Sequence, residues 1–107
     1  MNINWEFNDF SELTLETLYD IMRLRQEVFI IEQQCCYLDA DGLDQNSTHL
    51  MLFNTKILVA YMRIINKSII YPQTTFSRIL VKHDFRNKGL GRKIINKALN
   101  SINNEPV

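Results

Sequence analysis

The most constraining stretch of this 107-residue chain is residues 76–102. Phe76-Ser77-Arg78-Ile79-Leu80-Val81-Lys82 reads as a strand, a polar turn follows, and Arg86-Asn87-Lys88-Gly89-Leu90-Gly91-Arg92 leads straight into a helix with one apolar face. Such a junction aims several backbone N–H groups, and the positive end of the helix dipole, at one place. Gly89 and Gly91 remove side chains that would hold a ligand away from the backbone. Arg86, Lys88 and Arg92 add positive charge around it. The chemistry suits a pyrophosphate; on these residues alone the alternative is a solvated basic helix cap. Two other phosphate loops do not match: the dinucleotide fingerprint needs three glycines and a later acidic residue, and the P-loop needs Gly-Lys-Ser/Thr at the helix start.

The rest of the chain supplies a sheet and a second helix. Ile3, Trp5 and Phe7 alternate with polar residues, the pattern of a short half-buried strand. Thr14 is placed to cap a helix over about 15–31, with Glu16 in its first turn and Leu15, Leu18, Tyr19, Met22, Leu24, Val28 and Phe29 at helical spacing. Arg23, Arg25 and Glu27 are read as polar positions of that helix. Residues 32–47 form a long polar connection, and long connections in compact domains are often functional. Residues 49–53 and 57–65 are strand-like about an Asn54-Thr55-Lys56 turn and predict a hairpin. Ile69-Ile70-Tyr71 either extends its second strand or begins the approach to the next, limited by Pro72. In the last helix Leu90, Ile94, Ile95, Ala98, Leu99 and Ile102 share a face.

The length predicts one domain, and a formal net charge of zero gives no ground for broad nucleic-acid or membrane-surface binding. No apolar run approaches the roughly 20 residues that span a bilayer, and the first residues lack the basic start and apolar core of a signal peptide. The only cysteines, Cys35 and Cys36, are adjacent, so a poor geometric match for a disulfide and a reduced, cytoplasmic setting are expected.

Strand, helix, hairpin, strand, basic loop and helix, with Arg86-x-x-Gly89-x-Gly91 at the junction, resembles the acyl-CoA site of the Gcn5-related N-acetyltransferases (GNAT). Val28-Phe29-Ile30-Ile31-Glu32-Gln33, Cys35, Tyr37, Asp39, Asp41-Gly42 and Asp44 are similar to the ElaA-like group of that superfamily, as are Ala60, Tyr61 and Arg63 and then Arg78, Ile79 and Val81. Cys36 departs from the pattern, standing where proline is common. The resemblance implies an α/β (α+β) fold with a mixed, mostly antiparallel sheet flanked by helices. It also implies a further strand, helix and hairpin beyond Val107, so the chain is expected to be a partial domain over 1–107.

The resemblance implies that acetyl-CoA is the co-substrate. Backbone groups of Ile79 and Val81 would pair with the pantetheine arm as an added strand does, with Leu80 between them also among the cofactor-binding residues, and the strand's N–H groups could stabilise the tetrahedral oxyanion. The N–H groups of Arg86, Asn87, Lys88, Gly89, Leu90, Gly91 and Arg92 would hold the pyrophosphate. The alternative for Ile79 and Val81 is plain core strand, and both readings can hold together. Acetyl transfer needs a neutral amine, hence a base; residues 76–82 contain no carboxylate. Glu32 and His49 are the candidate catalytic groups, against the alternatives of a solvated helix-end carboxylate and a structural histidine.

On the acceptor side the candidates are Glu32, Tyr37, Asp39, Asp41 and Asp44. The aspartates would attract a cationic amine or simply form an acidic surface loop. A calcium loop is disfavoured because its twelfth position, counted from Asp39, is Leu50 rather than glutamate. Two cysteines with no basic neighbour in sequence suggest packing rather than reactivity, and no metal site is expected. The expected activity is acetyl transfer to an amine of a small molecule or peptide. The alternative is a non-catalytic fragment that binds CoA weakly or self-associates through the exposed edge of the fourth strand.

Overall fold

The computed structural model of the chain describes residues 2–34, 38–67 and 69–103. Its centre is strand β3 (Ile57–Ile65), in which every residue after Ile57 is buried. A strand covered on both faces reads as a continuous apolar run rather than an alternating one, and Leu58 to Met62 is such a run. β3 pairs antiparallel with β2 (Ser47–Asn54) on one side and β4 (Thr75–Val81) on the other, and β2 pairs antiparallel with β1 (Ile3–Asp9). The strand order is therefore β1-β2-β3-β4, with β4 at an edge.

Each face of the sheet carries one helix. Helix α2 (Leu90–Asn103) lays Leu90, Ile94 and Ala98 on Leu50, Leu52, Ala60, Met62 and Ile64. Its expected apolar face is narrower than the sequence suggests, for Ile95 and Leu99 remain 37% and 45% exposed. Helix α1 (Leu15–Arg25) covers the other face with Ile21 and Leu24 against Met51, Tyr61 and Leu80. Thr14 caps it as expected, accepting from the Thr17 N–H at 3.1 Å.

The helix does run on past residue 25, but its hydrogen bonding changes. Over Gln26–Glu32 the turns widen, and the Gln33 N–H donates to the Val28 carbonyl, five residues back, at 3.0 Å. Val28, Ile30 and Ile31 are β-branched and sit poorly against a preceding α-helical turn. The wider turns still bury Val28 and half-bury Phe29 and Ile30. Single π-type turns of this kind recur at functional sites.

β4 is irregular as well. Tyr61 pairs with Leu80 and Arg63 with Ser77, so Arg78 and Ile79 together oppose Met62. This is a β-bulge, and Arg78 takes the left-handed conformation with φ of 53°. The inserted residue reverses the facing of the strand. Phe76 packs on the α2 side and Leu80 on the α1 side, although an even spacing would put both on one face of a regular strand. Of the two readings of Ile69-Ile70-Tyr71, extension of the hairpin's second strand is not found: β3 ends at Ile65, and these three lie roughly half exposed on the approach to β4.

Candidate active site

A groove of about 350 Å³ runs along the outer edge of β4, lined by Val28, Glu32, Gln33, Ile79, Leu80, Val81, Arg86 and Gly91. One wall is the widened helical segment, the other is β4, and the N-terminus of α2 lies at the end. Lys82 donates its N–H inward to the Val59 carbonyl at 2.8 Å. Successive residues of a strand point their backbone groups to opposite sides, so those of Val81 point outward into the groove. The Val81 carbonyl in fact accepts from Arg86 Nε at 3.1 Å.

The basic loop forms a tight turn. Phe85 and Arg86 donate their N–H groups back to Lys82 (2.9 Å) and His83 (3.2 Å), which corrects the expectation that the Arg86 N–H serves a ligand. Asn87 and Gly89 then take positive φ values of 64° and 77°. The first N–H to bond back into α2 is that of Lys93, to the Gly89 carbonyl at 3.1 Å. The N–H groups of Leu90, Gly91 and Arg92 thus precede the helical ladder, in the position that favours anions. Gly91 is instructive because its backbone does not require glycine. A Cβ there would meet only Val81 Cγ2, at an ordinary 3.9 Å. Packing within the protein therefore does not explain the glycine.

Glu32, a candidate catalytic and acceptor-side residue, lines this groove, where its Oε2 accepts from Arg86 Nη2 at 2.8 Å. His49 does not reach it. Its side chain is wholly buried, with Nε2 at 2.9 Å from the Asp44 carbonyl and Nδ1 at 2.6 Å from the Tyr61 hydroxyl. A carbonyl only accepts, so Nε2 carries the proton, and in the neutral ring Nδ1 accepts from the Tyr61 hydroxyl. Burial also pushes its pKa below the ordinary 6.5. His49 is therefore a core histidine, and the expectation of a catalytic base at this position is corrected.

The three aspartates are likewise taken by the protein itself. Asp44, nearly buried, accepts from Arg25 Nη1 at 2.7 Å and Arg63 Nη1 at 3.1 Å. Asp41 binds Arg63 with both oxygens, at 2.7 and 2.9 Å, and lies 3.3 Å from Arg78 Nη2. Asp39 lies 2.8 Å from Arg25 Nε and accepts from Arg78 Nε at 2.9 Å. Three cations face three anions, so the loop offers little net charge to an acceptor amine; the acceptor-binding expectation for Asp39, Asp41 and Asp44 is corrected accordingly. Tyr37, Cys35 and Cys36 lie outside the described residues.

The arginines were the residues that sequence reasoning missed. Arg25 follows Ile21 by four and precedes Val28 by three, on the apolar face of its helix, and Arg63 interrupts the apolar run of β3. A charge in such a position needs a partner, and the cluster of aspartates near Gly42 was the available set. The network also has a structural result. It ties residues 39–44 to α1, to β3 and to the bulge of β4 together, beside the groove.

The sheet, the bulged edge strand and the glycine turn at a helix start define an acyltransferase domain, and the comparisons agree. The chain belongs to the GNAT family: the Acetyltransferase (GNAT) domain matches residues 8–107. Within it the chain falls in the ElaA-like group. It is 32% identical to the Escherichia coli ElaA structure, with a TM-score of 0.86 over 92% of this chain and 68% of that one. A Pseudomonas aeruginosa acyl-CoA N-acyltransferase structure is 34% identical, with a TM-score of 0.87 over 92% of this chain and 69% of that one. A UPF0039 protein of Synechocystis is 45% identical over 96 residues, covering 89% of this chain and 62% of that protein. The chain thus spans about two thirds of the length of these relatives.

Proposed function

We propose that the groove beside β4 binds acetyl-CoA and that the chain carries the acyl-CoA-binding part of an N-acetyltransferase acting on an amine of a small molecule or peptide. The observation that carries the reading is the convergence of an outward-facing strand edge, at Val81, with ladder-free N–H groups at Leu90, Gly91 and Arg92. A pantetheine arm offers amides that pair with a strand edge, and a pyrophosphate suits the helix start. The name of the Pseudomonas relative, an acyl-CoA N-acyltransferase, points the same way.

Acetyl-CoA supplies the activated thioester. The chain's own contribution is placement: the outward backbone edge at Ile79 and Val81 orients the arm, the turn at residues 87–92 fixes the far end, and Val28 and Leu80, whose backbone pairs inward with Tyr61, give the groove apolar walls that exclude water. Backbone N–H groups of the bulged edge are the donors suited to a developing oxyanion.

The test is calorimetric titration of acetyl-CoA into the 107-residue chain and into Gly91→Val. A Cβ at this position has space in the protein, so the variant should keep its circular dichroism and melting behaviour. Saturable binding to the parent chain that the variant loses supports the site. A folded parent chain that takes up no acetyl-CoA, or a variant that binds equally well, overturns it.

A further inference from the structure

Arg86 is expected to lend its charge to a bound anion, yet its guanidinium is turned across the groove. Nε donates to the Val81 carbonyl at 3.1 Å, and Nη2 donates to Glu32 at 2.8 Å. Both contacts fall where a ligand is needed to bind. The Val81 carbonyl belongs to the strand edge that would pair with the arm, and the Glu32 carboxylate cancels the charge that would meet the pyrophosphate. The pair joins the end of the widened helix to the loop before α2, so it spans the groove at that end.

We propose that Glu32 is an intramolecular competitor for the anionic part of the ligand: in the free chain the Arg86–Glu32 pair spans the end of the groove and occupies the guanidinium, and binding exchanges the carboxylate for a phosphate on the same guanidinium. This deepens the acetyl-CoA reading and rests on it. The exposures fit an exchangeable contact. The Arg86 and Glu32 side chains are 39% and 29% exposed, and ion pairs open to water are weak enough to be displaced. A phosphate is a good replacement, because guanidinium binds carboxylate and phosphate with the same forked geometry. The sign of the effect separates this role from others. A base or an acceptor-binding carboxylate would leave CoA affinity unchanged when neutralised, whereas a competitor would raise it.

The experiment is titration of coenzyme A into the parent chain, Glu32→Gln, Arg86→Gln and the double variant at low ionic strength. Glu32→Gln is expected to bind about two- to fivefold more tightly, the range of an exposed ion pair, and the gain should shrink with added salt. In the Arg86→Gln background the same change should bring no gain, because the carboxylate acts through the guanidinium. An equal gain in both backgrounds would mean direct repulsion, and no gain in either would mean a surface pair without consequence; both outcomes overturn the proposal while leaving the CoA site standing. Absence of binding in all four folded chains overturns the CoA site and the competitor together. Should Glu32→Gln not fold, the Arg86 Nε resonance of the parent chain decides. It should shift as coenzyme A is added, and a resonance unmoved at saturation refutes the exchange.

Discussion

Replacing Asp44 by alanine tests whether the acidic loop belongs to the fold or to a ligand. The Asp44 carboxylate is 4% exposed and stands between two guanidiniums, at 2.7 Å from Arg25 and 3.1 Å from Arg63. Both arginines are themselves buried, and each would keep one carboxylate, Asp39 for Arg25 and Asp41 for Arg63. Three cations would then face two anions, with the guanidiniums of Arg25 and Arg63 both out of reach of water. Breaking a buried pair from one side costs about 3–5 kcal/mol, against a total of roughly 5–15 kcal/mol for a domain. At about 4–8 °C per kcal/mol for a chain this size, the melting point should fall by roughly 12–40 °C. Asp44→Asn keeps an oxygen for the two donors and loses only the charge, so a smaller loss, about 2–3 kcal/mol, is expected. Trp5, the single tryptophan, packs against the α2 side of the sheet and reports unfolding by fluorescence without interference. A loss below about 1 kcal/mol for Asp44→Ala would show that the arginines do not depend on this carboxylate, and the structural assignment would fail.

The same network and its neighbour predict a stability profile in two steps. Burial holds His49 below its ordinary pKa of 6.5, so below that pH the unfolded chain takes up a proton that the folded chain refuses. Stability should fall by up to about 1.4 kcal/mol per pH unit on acidification from 6.5 toward the folded pKa, and His49→Gln should flatten that limb. Hydrogen bonding to Arg63 holds Asp41 at about 2 rather than 3.8; its contribution is complete above pH 3.8 and is lost as pH falls toward 2. Solvent reaches this carboxylate, so about 1 kcal/mol is expected there, and Asp41→Asn should remove the step in urea titrations across that window. Gly89→Ala places a side chain at φ of 77° with nothing within 4 Å of its Cβ, so only backbone strain is added, about 1–2 kcal/mol. An unchanged melting point would mean that the turn does not need glycine.

How far the sequence reveals this molecule depends on the range of the interaction. Local signals read correctly: the Thr14 cap, the hairpin about residues 54–56, the apolar run of β3 and the helix after Gly89 all follow from residues a turn apart. The π-type turns over Gln26–Glu32 kept the predicted extent of the helix but not its hydrogen bonding. The bulge at Arg78 carries no glycine or asparagine to announce its positive φ. Its trace is subtler, in that Phe76, Ile79, Leu80 and Val81 do not alternate as one regular strand would. The arginine–aspartate contacts join residues up to 39 apart, and no local pattern specifies such a pairing. What the sequence does contain is the imbalance: cations on apolar faces at Arg25 and Arg63 that can be buried only if acids come to them. His49 shows the converse, where a suitable ordinary pKa says nothing until burial and partners are known.

The misread residues share a cause that bears on how the groove is built. A binding site along a strand edge must have that edge held rigid by the side away from the ligand, since the ligand supplies nothing until it arrives. Here the bulge that re-aims β4 is gripped from behind, with Arg78 on Asp39 and Asp41, and Ser77 accepting from Arg63 Nε at 2.9 Å. Asp39 and Asp44 in turn hold Arg25 of α1, the helix whose widened continuation is the opposite wall. The two walls are thus fixed to each other through one neutral cluster of charges. Aspartates that would attract an amine if free instead tie α1, β3 and the bulge of β4 together, and the pair that remains in the groove is that of Arg86 and Glu32, at the loop before α2.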